Sequence, residues 1–127
     1  FFLSHSKMGL VEVGYKGSLE EIKHHVEAFP KDLNSLDGPM GMSLLGFCVT
    51  RGDFEIVEYL VNHPDIDLNI GARSDSATAL DLALIYRRND DITKMLMSMD
   101  APVKMCPQAL EDVKQEFYFM SAKSARK

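Results

Sequence analysis

Few side chains in this sequence could do chemistry. They are His24–His25, His5 and His63, Cys48 and Cys106, the loop Gly38–Pro39–Met40–Gly41, and the acidic pairs Glu20–Glu21 and Asp90–Asp91. Adjacent histidines on a helix point about a quarter-turn apart and do not readily clamp one metal ion. His5 and His63 lie far from them in sequence, and neither cysteine belongs to a Cys-x-x-Cys pair, so no zinc-site spacing results. Cys48 falls on an apolar helical stretch, where a thiol acts as a small hydrophobe rather than a nucleophile. The glycine-bracketed loop lacks the Lys-Ser/Thr that a phosphate loop needs. The acidic pairs stand at helix starts, where the helix dipole alone accounts for them. The sequence therefore predicts no enzyme, no metal site and no cofactor.

What must position any functional surface is set by length and composition. With 127 residues, 46% hydrophobic and 26% charged, one domain with a modest core is expected. A net charge of −5 argues against nucleic acid as a partner. Two cysteines make no disulfide framework, which points to a reducing compartment, the cytoplasm first and the nucleus second. The longest apolar runs are far too short for a bilayer span, and Phe1–Phe2–Leu3 is no signal peptide. Met8 is a possible native start.

The chain repeats itself. Asp32–Leu33–Asn34 returns as Asp67–Leu68–Asn69, 35 residues on. The same shift carries Leu10 to Leu45 to Leu80, Val13 to Cys48 to Ala83, Ile22 to Val57 to Ile92, and Val26 to Val61 to Leu96. Such agreement over three copies predicts a three-unit array, with units near 1–35, 36–70 and 71–105. Each unit reads as two short helices with a break between them, at Lys16–Gly17, Arg51–Gly52 and Arg87–Arg88–Asn89–Asp90. Ser18 with Glu21 fits a capping box, and Asp53 and Asp90 are the expected caps of the other second helices. Pro30, Pro64 and Pro102 are expected to stop those helices. The connectors 36–41 and 70–77 hold turn formers and are long enough to project as fingers.

A last apolar face, Leu110, Val113, Phe117 and Met120, predicts a C-terminal helix over 106–121 that covers the open end of the array. Pro107 suits its first position. The basic tail 122–127 is expected to fray.

Helix, tight turn, helix and extended finger resemble the ankyrin repeat. Unit two matches best. Ser43–Leu44–Leu45–Gly46 stands for the family's Thr-Pro-Leu-His, and Gly52–Asp53–Phe54–Glu55–Ile56–Val57 for its second-helix start. Asp67–Leu68–Asn69 stands for its Asp-Val-Asn, and Thr78–Ala79–Leu80–Asp81 repeats the first-helix motif in unit three. No unit keeps the Thr-Pro-Leu-His tetrapeptide intact, and the period of 35 exceeds the family's usual length of about 33.

The resemblance implies an all-α, ankyrin-like solenoid of three helix pairs with a capping helix, acting as a protein-protein interaction module and monomeric in isolation. Scaffold fragment of a longer protein and non-catalytic subunit are the alternatives. Carried over by position, the partner-binding surface would comprise Tyr15, Lys16, Thr50, Arg51, Ile85 and Tyr86 from the first-helix ends. Pro39, Met40 and Met42 would come from one finger, and Arg73, Ser74, Asp75 and Ala77 from the next. Glu20, Glu27, Glu55 and Glu58 fall on the outer helices, while Lys16, Arg51, Arg73, Arg87 and Arg88 gather toward the groove, which would favour an acidic protein or peptide.

Overall fold

A computed structural model describes the backbone of residues 9–125 and the side chains of residues 9–120. His5 and Met8 lie outside these residues. Three helix pairs follow one another: α1 (Leu10–Lys16) with α2 (Leu19–Ala28), α3 (Leu44–Arg51) with α4 (Phe54–Val61), and α5 (Ala79–Tyr86) with α6 (Asp90–Ser98). A 3-10 turn spans Pro30–Asn34, and a long helix, α7 (Pro107–Ala125), ends the described chain. First helices stack α1–α3–α5 and second helices α2–α4–α6, so the core runs as one continuous sheet of side chains between two helical layers. Among the described residues no helix is long and apolar enough to cross a membrane.

The local devices are those the residue types dictate. Ser18 accepts from the Glu21 amide and Glu21 accepts from the Ser18 amide, closing the capping box of α2. Asp53 caps α4 through the Ile56 amide, and Ser43 caps α3 through the Gly46 amide. Gly52 ends α3 at φ +80°, a left-handed conformation that a Cβ disfavours. Its Cβ would also stand 2.6 Å from the Cβ of Arg88. The first finger is a minimal hairpin, β1 (Leu36–Asp37) with β2 (Met42–Ser43), paired Leu36 with Ser43 and Asp37 with Met42.

The third turn differs from expectation. Arg87, not a glycine, takes the left-handed position at φ +47°, and Asn89, not Asp90, caps α6 by accepting from the Asp91 amide. Caps at Ser18, Asp53 and Asn89 give a spacing of 35 and then 36. One extra residue in the turn rotates α6 by one position. The buried set Ile56, Val57, Leu60 of α4 is therefore matched by Ile92, Thr93, Leu96. Thr93, not Ile92, takes the place of Val57. The prolines do not themselves stop the second helices either. α2 ends two residues before Pro30, α4 three before Pro64 and α6 four before Pro102, so each bars a later turn of helix rather than the next one.

That displaced threonine carries an energetic signature. Thr93 is buried, and its hydroxyl finds no hydrogen-bond partner among the described residues. A desolvated hydroxyl without a partner costs stability that an apolar isostere avoids. Thr93→Val is expected to raise the unfolding free energy by about 1–2 kcal/mol, read as a higher urea midpoint with an unchanged slope. A loss of stability would show that the hydroxyl is satisfied after all.

α7 begins at Pro107, as its sequence suggests, and runs on to Ala125, so residues 122–125 are helical backbone rather than a frayed tail. Residues 126–127 lie outside the described chain. Val113 is buried against the array, with Leu110 and Phe117 half-buried beside it. Met120 was expected on the same covering face, but more than half of it is exposed, because the helix has left the array by that turn.

Candidate interaction surface

The residues expected to meet a partner stand at the ends of the first helices and in the two fingers. Tyr15, Ile85 and Tyr86 stand at the helix ends with 54, 51 and 47% of their surface exposed, and Met40 at the fingertip with 47%. Each is a large apolar side chain left in water, as are Phe29, Met99 and Met105 elsewhere on the array. Tyr15 does not wave freely, because its ring lies 4.8 Å from the buried ring of Phe47 in a tilted contact. Thr50, the equivalent residue of unit two, is half-buried and donates its hydroxyl to the Phe47 carbonyl at 2.7 Å.

The second finger is zipped onto the first through backbone. The Arg73 amide donates to the Gly41 carbonyl and the Ser74 amide to the Met40 carbonyl. Asp75 folds back to accept from the Ala77 amide, leaving Arg73, Ser74 and Asp75 exposed at the tip beside Pro39 and Met40.

Two residues assigned to this surface do not reach it. Met42 is buried because the hairpin register turns it inward over Gly46. Ala77 is buried because its carbonyl closes the base of the second finger by accepting from the Ala72 amide.

The row of groove cations also changes. Arg51 donates to the carbonyls of Gly14 and Gly17, both at 3.0 Å, and lies 3.7 Å from Asp53. It neutralises the negative C-terminal end of α1 and stitches unit one to unit two. Arg87 grips Asp90 at 2.9 Å and Glu116 at 2.8 Å. These hydrogen bonds push the guanidinium above its usual range and hold the Glu116 carboxyl below its own. Arg87 thus anchors α7, helped by the Lys94 ammonium 4.9 Å from the Phe117 ring centre. Among the described residues Lys16 reaches Glu12, at 3.8 Å and mostly in water. Arg73 and Arg88 have no carboxylate partner among the described residues.

One functional group escaped the sequence reading. Asp81 is fully buried, and its carboxylate is held by backbone amides of a distant loop: Lys104 at 2.9 Å, Met105 at 3.1 Å and Cys106 at 3.2 Å, with the Thr78 amide at 2.9 Å. The Thr78 hydroxyl reaches the Pro102 carbonyl of the same loop at 2.6 Å. Burial alone would raise the Asp81 carboxyl, yet these donors and the Cys106 thiol bring it below its ordinary value. The available signal was Thr78 followed three residues later by an acid, a capping box whose acid reaches further than its own helix.

The remaining chemistry-bearing groups are structural. Burial pushes the Cys48 thiol up to about 12, and burial with the neighbouring Asp81 carboxylate pushes Cys106 up to about 11. His25 is buried on Asp32 at 2.7 Å. Among the described residues no cluster of three His, Cys, Asp or Glu side chains could hold a metal ion.

No curated protein matches the chain. A family model described as ankyrin repeats matches in three copies over residues 10–105, the span of the three helix pairs and their fingers. On this match and this stacking, the chain belongs to the ankyrin-repeat family.

Proposed function

We propose that this chain binds an extended segment of a partner protein along its fingers and first-helix ends, as an adaptor. Ankyrin repeats are in general protein-protein interaction modules and are typically non-catalytic. The observation that supports the reading is the exposure of Tyr15, Ile85 and Tyr86 at the first-helix ends and of Met40 at the fingertip, the positions at which ankyrin arrays meet their partners. Lys16, tied only loosely to Glu12, and Arg73 and Arg88, without a carboxylate partner among the described residues, add positive charge, which favours a segment bearing carboxylates between apolar anchors. Two free thiols, one of them buried, suit a reducing compartment such as the cytoplasm.

The test uses peptides selected against the folded chain from a display library. Tyr15→Ala and Tyr86→Ala are each expected to weaken binding by about 1–4 kcal/mol, mainly through faster dissociation. Lys16→Glu with Arg73→Glu should instead slow association and reduce its salt dependence. Arg51 is unsuitable for this charge reversal, because its loss would unstitch the first two units. Unaltered affinity in the double tyrosine variant would move the interface to the outer helices, where an open groove between α2 and α4 holds Lys23 over Tyr59.

A further inference from the structure

The layer of second helices carries a groove that the fingers do not share. It is an open trough of about 620 Å³ between α2 and α4, lined by Leu19 and Lys23 on one side and by Glu55, Glu58, Tyr59 and His63 on the other. Glu55, Tyr59 and His63 follow at intervals of four, so they share one side of α4 and the turn after it. Leu19, Tyr59 and His63 are half-buried, while Glu55 and Glu58 are exposed. The His63 ring meets the Tyr59 ring edge-on at 6.3 Å. A cation already occupies this ring: the Lys23 ammonium lies 5.6 Å from its centre. The groove thus contains its own demonstration of what the ring attracts.

The charge around that ring is not balanced from within. Lys23 is shared with Glu20, 3.7 Å away, and Glu27, Glu55 and Glu58 have no ion-pair partner among the described residues. Burial and the nearby Glu27 carboxylate push the Tyr59 phenol up, so the field of Glu27 reaches the ring as well. An acidic segment would be repelled here, and an apolar one would desolvate carboxylates without pairing them. A guanidinium suits both features at once, because it stacks flat on an aromatic ring and donates in its own plane to carboxylates. We propose that the groove between α2 and α4 is a docking site for an arginine-bearing segment of a partner protein. The guanidinium takes the place of Lys23 on Tyr59 and pairs with the unpaired glutamates, and Lys23 turns out toward Glu20. Because the groove lies on the second helices, its occupation leaves the fingers and first-helix ends free.

The probe is a tetra-arginine peptide with blocked ends, titrated at low salt into the full isotope-labelled chain and followed by two-dimensional NMR. Saturable shifts are expected, largest at the amides of Lys23, Glu55, Glu58 and Tyr59. Glu55→Gln with Glu58→Gln should weaken binding about tenfold or more, and neither side chain is buried, so the fold is kept. Tyr59→Leu should weaken it about two- to fivefold. Lys23→Met should tighten it, because the ring no longer has to be vacated. Lys16→Met removes the same charge at a first-helix end and should change nothing, as should Tyr15→Ala with Tyr86→Ala. Absence of binding, shifts gathered at the fingers or spread over the acidic surface, or equal tightening by the two methionine variants would overturn the proposal. So would a tetra-glutamate peptide seated in the groove, or shifts there that grow with protein concentration alone and assign it to a second copy.

Discussion

Asp81→Ala is expected to lower the unfolding free energy by about 3–5 kcal/mol, a large share of the 5–15 kcal/mol available to a typical domain. Among the described residues the carboxylate is the one acceptor for the amides of Lys104, Met105 and Cys106, which have no place in any helix ladder. Alanine leaves these donors and the Thr78 amide facing an apolar hole. Asp81→Asn should cost nearly as much, because one of its two terminal atoms becomes a donor aimed at other donors. The damage should be local first. Hydrogen exchange should accelerate across residues 102–106 and α7 before it does in α3 and α4, because the loop is what seats α7 on α5. The pH dependence has a definite sign. The Asp81 carboxyl sits below its unfolded value in the native state, so its contribution is complete above about pH 4 and disappears as pH falls through the native value. The alanine variant should lack that part of the acid limb. A loss under about 1 kcal/mol would show that Val113, Leu110 and Phe117 hold α7 without the loop.

The array itself was legible because burial repeats and the sequence repeats with it. Ser18, Asp53 and Gly52 announced their own turns, since each satisfies backbone groups within three or four residues. The longer turn at Arg87–Asp90 was visible in the sequence, but its effect on the register of α6 was hidden because Ile92 and Leu96 are apolar in either register. The cap at Asn89 and the burial of Thr93 reveal the rotation. Arg51 and Arg87 read as groove cations because a residue type does not disclose its partner. The carbonyls of Gly14 and Gly17 and the carboxylate of Glu116 lie 29–37 residues away. Asp81 was invisible for the same reason, its partners being backbone amides 23–25 residues downstream, which leave no trace in side-chain chemistry. Met42 was misplaced because a hairpin residue points in or out according to a register that short strands barely encode, and Ala77 because its carbonyl closes the base of the second finger on the Ala72 amide. Asn34 shows the limit of the repeat from the other side. It clasps the Asp65 carbonyl and the Asp67 amide, a pair that has no counterpart at Asn69 among the described residues.

Phe47→Ala is expected to cost about 3–5 kcal/mol, the range for emptying a buried phenylalanine site. Phe47 is among the largest fully buried side chains, and it fills the seam between the first two units. A Cβ added at Gly14 would stand 2.8 Å from the Phe47 Cβ, and one at Gly38 would stand 3.4 Å from Cζ, so α1 and the first finger close on the ring from two sides. The site cannot collapse onto a smaller residue without moving one of them, which places the cost toward the upper end. Phe47→Leu should cost less, about 1–2 kcal/mol, because most of the volume is kept. The ring also floors Tyr15 at 4.8 Å, so core packing and the proposed binding face share one contact. In the folded Phe47→Leu background, Tyr15→Ala should therefore weaken peptide binding less than it does in the parent chain. The shortfall measures how much of the Tyr15 contribution comes from being held in place. Urea unfolding of Phe47→Ala at an unchanged slope checks the first value, and a peptide-binding cycle with Tyr15 checks the second. Strict additivity in that cycle would show that Tyr15 binds, if it does, without help from the ring beneath it.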